Sequence, residues 1–227
     1  EKTRTQLESQ ILPRFLLRQR WYAAKTEPLQ HAAIAEYAML QAGETQWLMA
    51  LVDIHGAARP ARYFVPLALS FEESESERTH VLSAVAIAKV RQQANTGVLA
   101  DAMADEAFCR AMINAIGAKR ELKAEGGTLR FSPSDSFINI VGGTLKDATP
   151  LTRLTASSNS VSLLGDRLFL KAYRHLHDGI SPELEMGRFL TDAVDFKHCV
   201  PVAGSVDFHA ANGAIYTLAL LQAQVTN

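Results

Sequence analysis

The sequence predicts an α+β protein in which a helix packed on an antiparallel sheet precedes a second unit of strands and helices. The first observation is a change in the spacing of apolar residues along the chain. Apolar residues recur at helical spacing near the N-terminus, and strand-like segments separated by turn signals follow them. The second observation is the order strand, polar loop, two strands, helix and two strands from residue 151 onward. A helix followed by a strand meander is typical of a small α+β domain in which the helix covers one face of the sheet.

Size and composition restrict the function classes. The chain has 227 residues, of which 48% are hydrophobic, and a formal net charge of -1. Such a length suits one large domain or two small ones. The near-neutral charge excludes a globally basic nucleic-acid binder, and no apolar run reaches the roughly 18 residues of a membrane span. Two cysteines are too few for a disulfide framework and too isolated for a zinc site, so we expect reduced thiols in a cytoplasmic protein.

The first predicted unit covers residues 1–95 and opens with an amphipathic helix over residues 3–19. The outer face of this helix is basic through Arg14, Arg18 and Arg20. Such a face could contact nucleic acid, but we expect it to be a rim beside the neighbouring unit. Four strand-like segments follow the helix: 31–40, 45–54, 62–71 and 81–91.

The second predicted unit covers residues 96–227. It opens with a helix over residues 104–118, whose apolar side chains fall on one stripe and whose C-cap is Gly117. A short strand over 128–132 and a loop rich in Ser, Asp, Gly and Thr come next. The informative region then begins at residue 151.

A lysine in an apolar strand is the first candidate for chemistry. The strand over residues 167–173 alternates clearly, so Lys171 shares one face with Phe169 and Tyr173. A lysine in such a strand must contact an anion or reach solvent with its charged head. Sequence periodicity does not decide between these two environments.

A helix with two glutamates follows this strand. Ser181 is a good N-cap, and Pro182 suits the first helical position. The apolar spacing predicts a buried stripe formed by Met186, Phe189, Leu190 and Ala193. Glu183 and Glu185 lie on opposite edges of that stripe, and periodicity alone does not choose which of them meets Lys171.

The order polar hairpin, strand lysine and helix glutamate is the order found in the small lobe of a kinase. Phosphates need a positioned cation and backbone N–H donors, and a carboxylate keeps the lysine side chain in place. The polar loop before the lysine strand contains Ser158, Asn159 and Ser160, which could offer such donors. An ordinary hairpin turn would use the same residue types.

Several segments of the sequence resemble those of the maltokinases, bacterial enzymes that make maltose 1-phosphate from maltose and ATP. The resemblance lies in SNS at residues 158–160, GDRLFLKAYR at 165–174 and GISPELEMGRFL at 179–190. LPRFLLRQRWYAAK at residues 12–25 is similar to the opening segment of the same family. These matches occur in the family's order.

The resemblance implies a fold related to the aminoglycoside phosphotransferases, with an N-terminal cap, a kinase-like small lobe and a helical C-terminal lobe. By position, Lys171 matches the lysine that contacts the nucleotide phosphates, and Glu185 matches its helix partner. Ser158, Asn159 and Ser160 match the phosphate loop, and residues 220–225 match the strand that enters the hinge. ATP and maltose are the implied substrates, in the metabolism that links trehalose to glycogen and other α-glucans.

We expect this chain to be the N-terminal fragment of such a kinase, because no catalytic loop follows the hinge strand. The resemblance places the catalytic residues and the Mg²⁺ ligands on a C-terminal lobe that is absent here, so we assign neither to this chain. The fragment alone is expected not to phosphorylate maltose. Family members occur alone or fused to a trehalose synthase, which is therefore a candidate partner.

Two alternatives remain open. The cap could be a non-catalytic docking domain in a fused trehalose synthase, since residues 1–95 carry no paired catalytic groups. The chain could also belong to a kinase of another sugar, such as glucosamine, because the acceptor site of this fold lies mainly on the other lobe.

Overall fold

A computed structural model describes residues 2–27, 29–56, 60–71, 77–142, 151–154, 158–165, 167–194 and 196–225. The α-helices of this part of the chain are α1 (Lys2–Gln6), α2 (Leu12–Arg18), α3 (Glu77–Ala84), α4 (Glu106–Gly117), α5 (Phe137–Val141) and α6 (Pro182–Arg188). π-Helical turns over Leu7–Ile11 and Phe189–Ala193 join α1 to α2 and extend α6, and a 3-10 turn over Ala102–Ala104 precedes α4.

The strands form two antiparallel sheets. The strands of the first unit are β1 (His31–Ala42), β2 (Thr45–His55), β3 (Ala61–Phe64), β4 (Leu67–Phe71), β5 (Ala86–Gln92) and β6 (Asn95–Asp101). The later strands are β7 (Glu121–Ala124), β8 (Gly127–Pro133), β9 (Leu151–Leu154), β10 (Ser160–Leu164), β11 (Leu168–Ala172), β12 (His175–Leu176), β13 (Val202–Ala210) and β14 (Ile215–Ala223).

The first sheet has the order β12-β3-β2-β4-β6-β5, with β1 also paired to β2. The second has the order β7-β8-β13-β14-β11-β10-β9. Helix α4 packs against strands of both sheets, and its Phe108 and Met112 are fully buried in a core cluster that includes residues from each sheet. The predicted α+β architecture is therefore confirmed.

The N-terminal helix covers the other face of the first sheet. Leu12 and Leu16 of α2 are fully buried against strand residues such as Val52. Pro13 is accommodated by a π-helical turn, because the N–H of Leu12 donates to the carbonyl of Leu7 just before the proline. The helix predicted over residues 3–19 is therefore interrupted by a wider turn just before Pro13.

Two predicted strands differ from the structure. The segment 62–71 divides into β3 and β4 on either side of Val65 and Pro66, and Pro66 has no N–H to contribute to a ladder. The segment 81–91 was predicted as one strand, but its first residues complete helix α3. There Leu82 is fully buried one helical turn after the buried Thr79. Residue 95, the predicted division between the units, lies at the start of β6 in the first sheet.

Helix α6 packs through a different face from the predicted one. Met186 and Phe189 of the predicted stripe are 57% and 53% exposed, so that prediction is wrong. The face that contacts the sheet begins with Leu184, which is buried beside Val202, and continues through Gly187. Both faces have the spacing i, i+3, i+4, i+7, and the second consists of Leu184, Gly187, Arg188 and Thr191. Gly187, which has no side chain, allows the close approach to Val202 of β13.

Candidate nucleotide site

Lys171 lies on β11, an internal strand of the second sheet. It is paired to Val161 of β10 on one side and to Leu220 of β14 on the other. Its side chain is only 18% exposed. The strand alternation places it on the face that carries Phe169 and Tyr173, as the sequence predicts.

The lysine is held by a carboxylate from α6. Lys171 Nζ lies 2.5 Å from Glu183 Oε2, and the Tyr173 hydroxyl donates to the same oxygen at 2.8 Å. Burial raises the pKa of Tyr173 above its ordinary value, and the Glu183 carboxylate raises that pKa further. The phenol therefore stays protonated at neutral pH and remains a donor to Glu183.

The choice of Glu185 as the helix partner is not supported by this geometry. Glu185 is exposed, and Lys171 pairs with Glu183 instead. The reason is the rotation of α6. With Leu184 turned toward the sheet, Glu183 projects toward β11, and Glu185 lies about 100° around the helix on the opposite side of Leu184. Glu183 is the alternative that helical periodicity had left open.

The three residues of the predicted phosphate loop do not share one environment. Ser158 is exposed, and Asn159 and Ser160 are partly buried. Ser160 is the first residue of β10 and lies opposite Ala172, so its side chain points to the face opposite that of Lys171. The Ser160 hydroxyl accepts a hydrogen bond from Arg174 Nε at 2.7 Å. The preceding residues 155–157 of the predicted loop lie outside the described residues.

Arg174 makes several buried contacts that were not predicted from the sequence. Its side chain is 1% exposed, and its guanidinium lies 2.5 Å from Asp101 Oδ2 and 4.8 Å from the ring centroid of Trp21. It also donates to the carbonyl oxygen of Phe64 at 3.2 Å. Arg174 thereby connects the first sheet to β10. A signal was present in the sequence, since a charged residue continued the buried register of the lysine strand.

Comparison with solved structures defines the class of fold. The chain superposes on a glucosamine kinase in complex with glucosamine, ADP and inorganic phosphate with a TM-score of 0.55 and 15% identity. A second glucosamine kinase structure gives a TM-score of 0.57 at the same identity. In both cases the match covers 98% of this chain and 41% of the kinase chain. The chain thus shares the fold of the matched part of these kinases, and it spans less than half of their length.

A comparison with models of protein families gives a match in the first part of the chain. Residues 15–105 match the model of the maltokinase N-terminal cap domain. The resemblance of this chain to the maltokinases is therefore confirmed over the cap. No curated protein matches the sequence.

Within the described residues, no helix is long and apolar enough to cross a membrane. No group of three His, Cys, Asp or Glu side chains in the same part of the chain is arranged to hold a metal ion.

Proposed function

We propose that this chain supplies the cap and the nucleotide-binding lobe of an ATP-dependent sugar kinase. The observation that carries the proposal is the Lys171–Glu183 pair on the face of the second sheet. A lysine on a small-lobe strand, fixed by a helix carboxylate, is the arrangement with which kinases hold nucleotide phosphates. The glucosamine kinase with the same fold is described as bound to ADP, which supports nucleotide use by this fold.

The donor set fits a nucleoside triphosphate. Lys171 would contact the phosphates, and Glu183 and Tyr173 would keep its ammonium group in place. Backbone N–H groups of the hairpin before β10 would complete the phosphate contacts, whereas the Ser160 side chain is already engaged on the other face. When bound, ATP supplies the phosphoryl group that is transferred to the sugar. The end of β14 would meet the adenine through backbone groups.

The proposed acceptor is maltose, with maltose 1-phosphate as product. The cap match supports maltose, since that domain is described as the maltokinase cap. Glucosamine is the second candidate, because the chain shares its fold with glucosamine kinases. Comparing the two acceptors in a coupled ADP-release assay, with the protein that carries this chain at its full natural length, decides between them.

Calorimetric titration of the chain with ATP tests the nucleotide site. Lys171→Ala removes the charge that meets the phosphates, so we expect ATP binding to weaken about tenfold or more. Lys123→Ala, on the exposed edge strand β7, removes the same charge elsewhere and is the matched control. ATP binding that is equal in the wild type and in Lys171→Ala contradicts the assignment of the lysine.

Two neighbouring glutamates allow a sharper test in the protein of full natural length. Glu183→Gln removes the charge that fixes Lys171, so kcat should fall about 10- to 100-fold with little change in KM. Glu185→Gln changes an exposed carboxylate two residues away and should leave both constants near wild type. The reverse result would restore Glu185 as the lysine's partner in the working enzyme.

A further inference from the structure

A cavity lies between the N-terminal helix and the second sheet, and Lys171, Tyr173 and Glu183 of the proposed nucleotide site do not line it. Its volume is about 760 Å³, which falls within the range of small-molecule sites in proteins. The helix α2 and the residues after it form one wall, and residues 84–88 form another. Asn159 and Ser160 lie at the end where the cavity meets the hairpin.

The charge of the cavity is strongly positive. Arg14, Arg18 and Arg20 line it, together with the buried Arg174, while Asp101 is the acidic residue of the lining. Arg174 and Asp101 neutralise each other through their ion pair at 2.5 Å. The other three guanidinium groups are exposed, and within the described residues no ion pair or hydrogen bond joins them to a protein group. Three unneutralised cations beside one concave space favour an anionic occupant.

The arrangement of the arginines follows from the helix. Ile11, Arg14, Phe15 and Arg18 have the spacing i, i+3, i+4, i+7, so one face of the helix presents two cations and two apolar side chains to the cavity. The opposite face carries the buried Leu12 and Leu16 and fixes the helix to the first sheet. The arginine backbones are thus held by a packed element, and only their side chains need to adjust to a ligand.

The polar end of the cavity is also pre-arranged. Ser160 is held in place by its hydrogen bond to Arg174 at 2.7 Å, and Arg174 is itself fixed by Asp101. The cavity lining further includes apolar side chains from both walls, such as Phe15 and Val85. Guanidinium groups match phosphate oxygens through paired N–H donors, and an apolar wall suits an organic body.

We propose that this cavity binds a small phosphorylated metabolite, with the phosphate on Arg14, Arg18 and Arg20 and the organic part against the apolar walls. This site is separate from Lys171, which lies on the other face of β10 and β11 from Ser160. The proposal does not depend on kinase activity. It concerns binding alone, so it stands or falls independently of the proposed function.

The test is a titration of the chain with inorganic phosphate, glucose 1-phosphate and AMP, in the Lys171→Ala background, where binding at the nucleotide site is weakened. Binding is followed by calorimetry and by the two indole N–H signals in NMR spectra. Trp21 lines the cavity, while Trp47 is buried elsewhere with its indole N–H donated to Asp105. We expect the Trp21 signal to shift and the Trp47 signal to stay. Stronger binding of glucose 1-phosphate or of AMP tells a sugar phosphate from a nucleotide as the natural ligand.

Arg14→Gln/Arg18→Gln is the decisive variant, and it should weaken binding of the phosphorylated probes about tenfold or more. Both side chains are exposed and lack partners within the described residues, so the fold should persist, as circular dichroism will show. Lys119→Gln/Lys123→Gln removes two exposed cations outside the cavity lining and should leave binding unchanged.

Three results would overturn the proposal. The first is no binding of any phosphorylated probe at millimolar concentration. The second is equal binding by the wild type and by Arg14→Gln/Arg18→Gln. The third is equal binding of uncharged glucose. Weakening of the affinity by added salt, together with the loss in the arginine variant, supports it.

Discussion

Glu183 Oε2 receives two donors at once, the Lys171 ammonium and the Tyr173 hydroxyl. A carboxylate with two fixed donors has less rotational freedom than one with a single exposed partner, so the lysine that it holds is pre-positioned. The sequence predicted the face of Lys171 from strand alternation alone. It could not predict which glutamate contacts it, because that choice depends on the rotation of α6, which tertiary packing sets.

His175 gives a pH-dependent prediction. Its ring stacks on Tyr63 with centroids 5.0 Å apart, and burial followed by the neighbouring His177 lowers its pKa from the ordinary value of 6.5. The unfolded chain therefore takes up a proton at higher pH than the folded chain does. Stability is full above about pH 6.5 and is lost as pH falls from there toward the lowered folded pKa.

We expect His175→Gln to flatten the decline in unfolding free energy between pH 7 and pH 5, as measured by urea unfolding. His80→Gln, on the exposed face of α3, should keep the wild-type slope. Identical slopes for wild type and His175→Gln would show that this ring does not carry the pH dependence.

At the scale of the element, α6 shows why periodicity has limits. Two faces of this helix have core-like spacing, and the more apolar one is exposed. The packed face contains Gly187, where an added Cβ would lie 2.6 Å from Val202 Cγ2. The helix face that packs is therefore decided by the space available against the sheet. The hydrophobicity of the helix residues alone does not predict which face packs.

Gly187→Ala should destabilise the protein by about 1–3 kcal/mol through overpacking against Val202. Helix propensity alone would predict the opposite sign, a gain of roughly 1 kcal/mol. Urea unfolding measures the difference. Met186→Ala, on the exposed side of the same helix, should stay within about 0.5 kcal/mol of wild type.

A rescue variant checks the cause. In Gly187→Ala/Val202→Ala the clashing methyl group is removed, so the double variant should lose less stability than the two single variants together. Stabilisation by Gly187→Ala alone would mean that α6 lies farther from β13 than described.

The other elements show what local sequence can and cannot predict. Helix α4 was predicted closely because its apolar stripe is long, although its C-cap is Ala118 and the predicted C-cap Gly117 is its last helical residue. Asp105 caps its first turn by accepting from the N–H of Ala107. The last four residues of helix α3 were predicted as the start of a strand, because the eight residues of this helix mix small and polar side chains with few apolar ones. Short elements of this kind take their form from the surfaces on which they pack.

Across the whole molecule, Arg174 joins parts that are distant in sequence. Its partners Phe64 and Asp101 belong to the first sheet, and Ser160 belongs to the second. No sequence pattern predicts these partners, because the tertiary packing of the two sheets brings them to Arg174. The cap match at residues 15–105 includes Phe64 and Asp101 but not Arg174.

Arg174→Met should cost about 3–5 kcal/mol of unfolding free energy, since it leaves Asp101 with only 13% of its side chain exposed and no cation beside it. Asp101→Asn removes the opposite charge. The double variant should lose at least about 1 kcal/mol less than the sum of the single losses, as determined by urea unfolding. Losses that add within about 0.5 kcal/mol would show that the pair is not coupled.

Strand β12 has a consequence for the limits of the cap. These two residues, His175 and Leu176, extend the first sheet beyond β3, where they pair with Tyr63 and Arg62. They come about 70 positions after the cap match ends. A protein cut after residue 105 would therefore expose the hydrogen-bonding edge of β3, and bare edges of this kind recruit strands from other molecules. The later part of the chain thus protects the cap from self-association. The folded cap therefore includes residues that lie beyond the matched range 15–105.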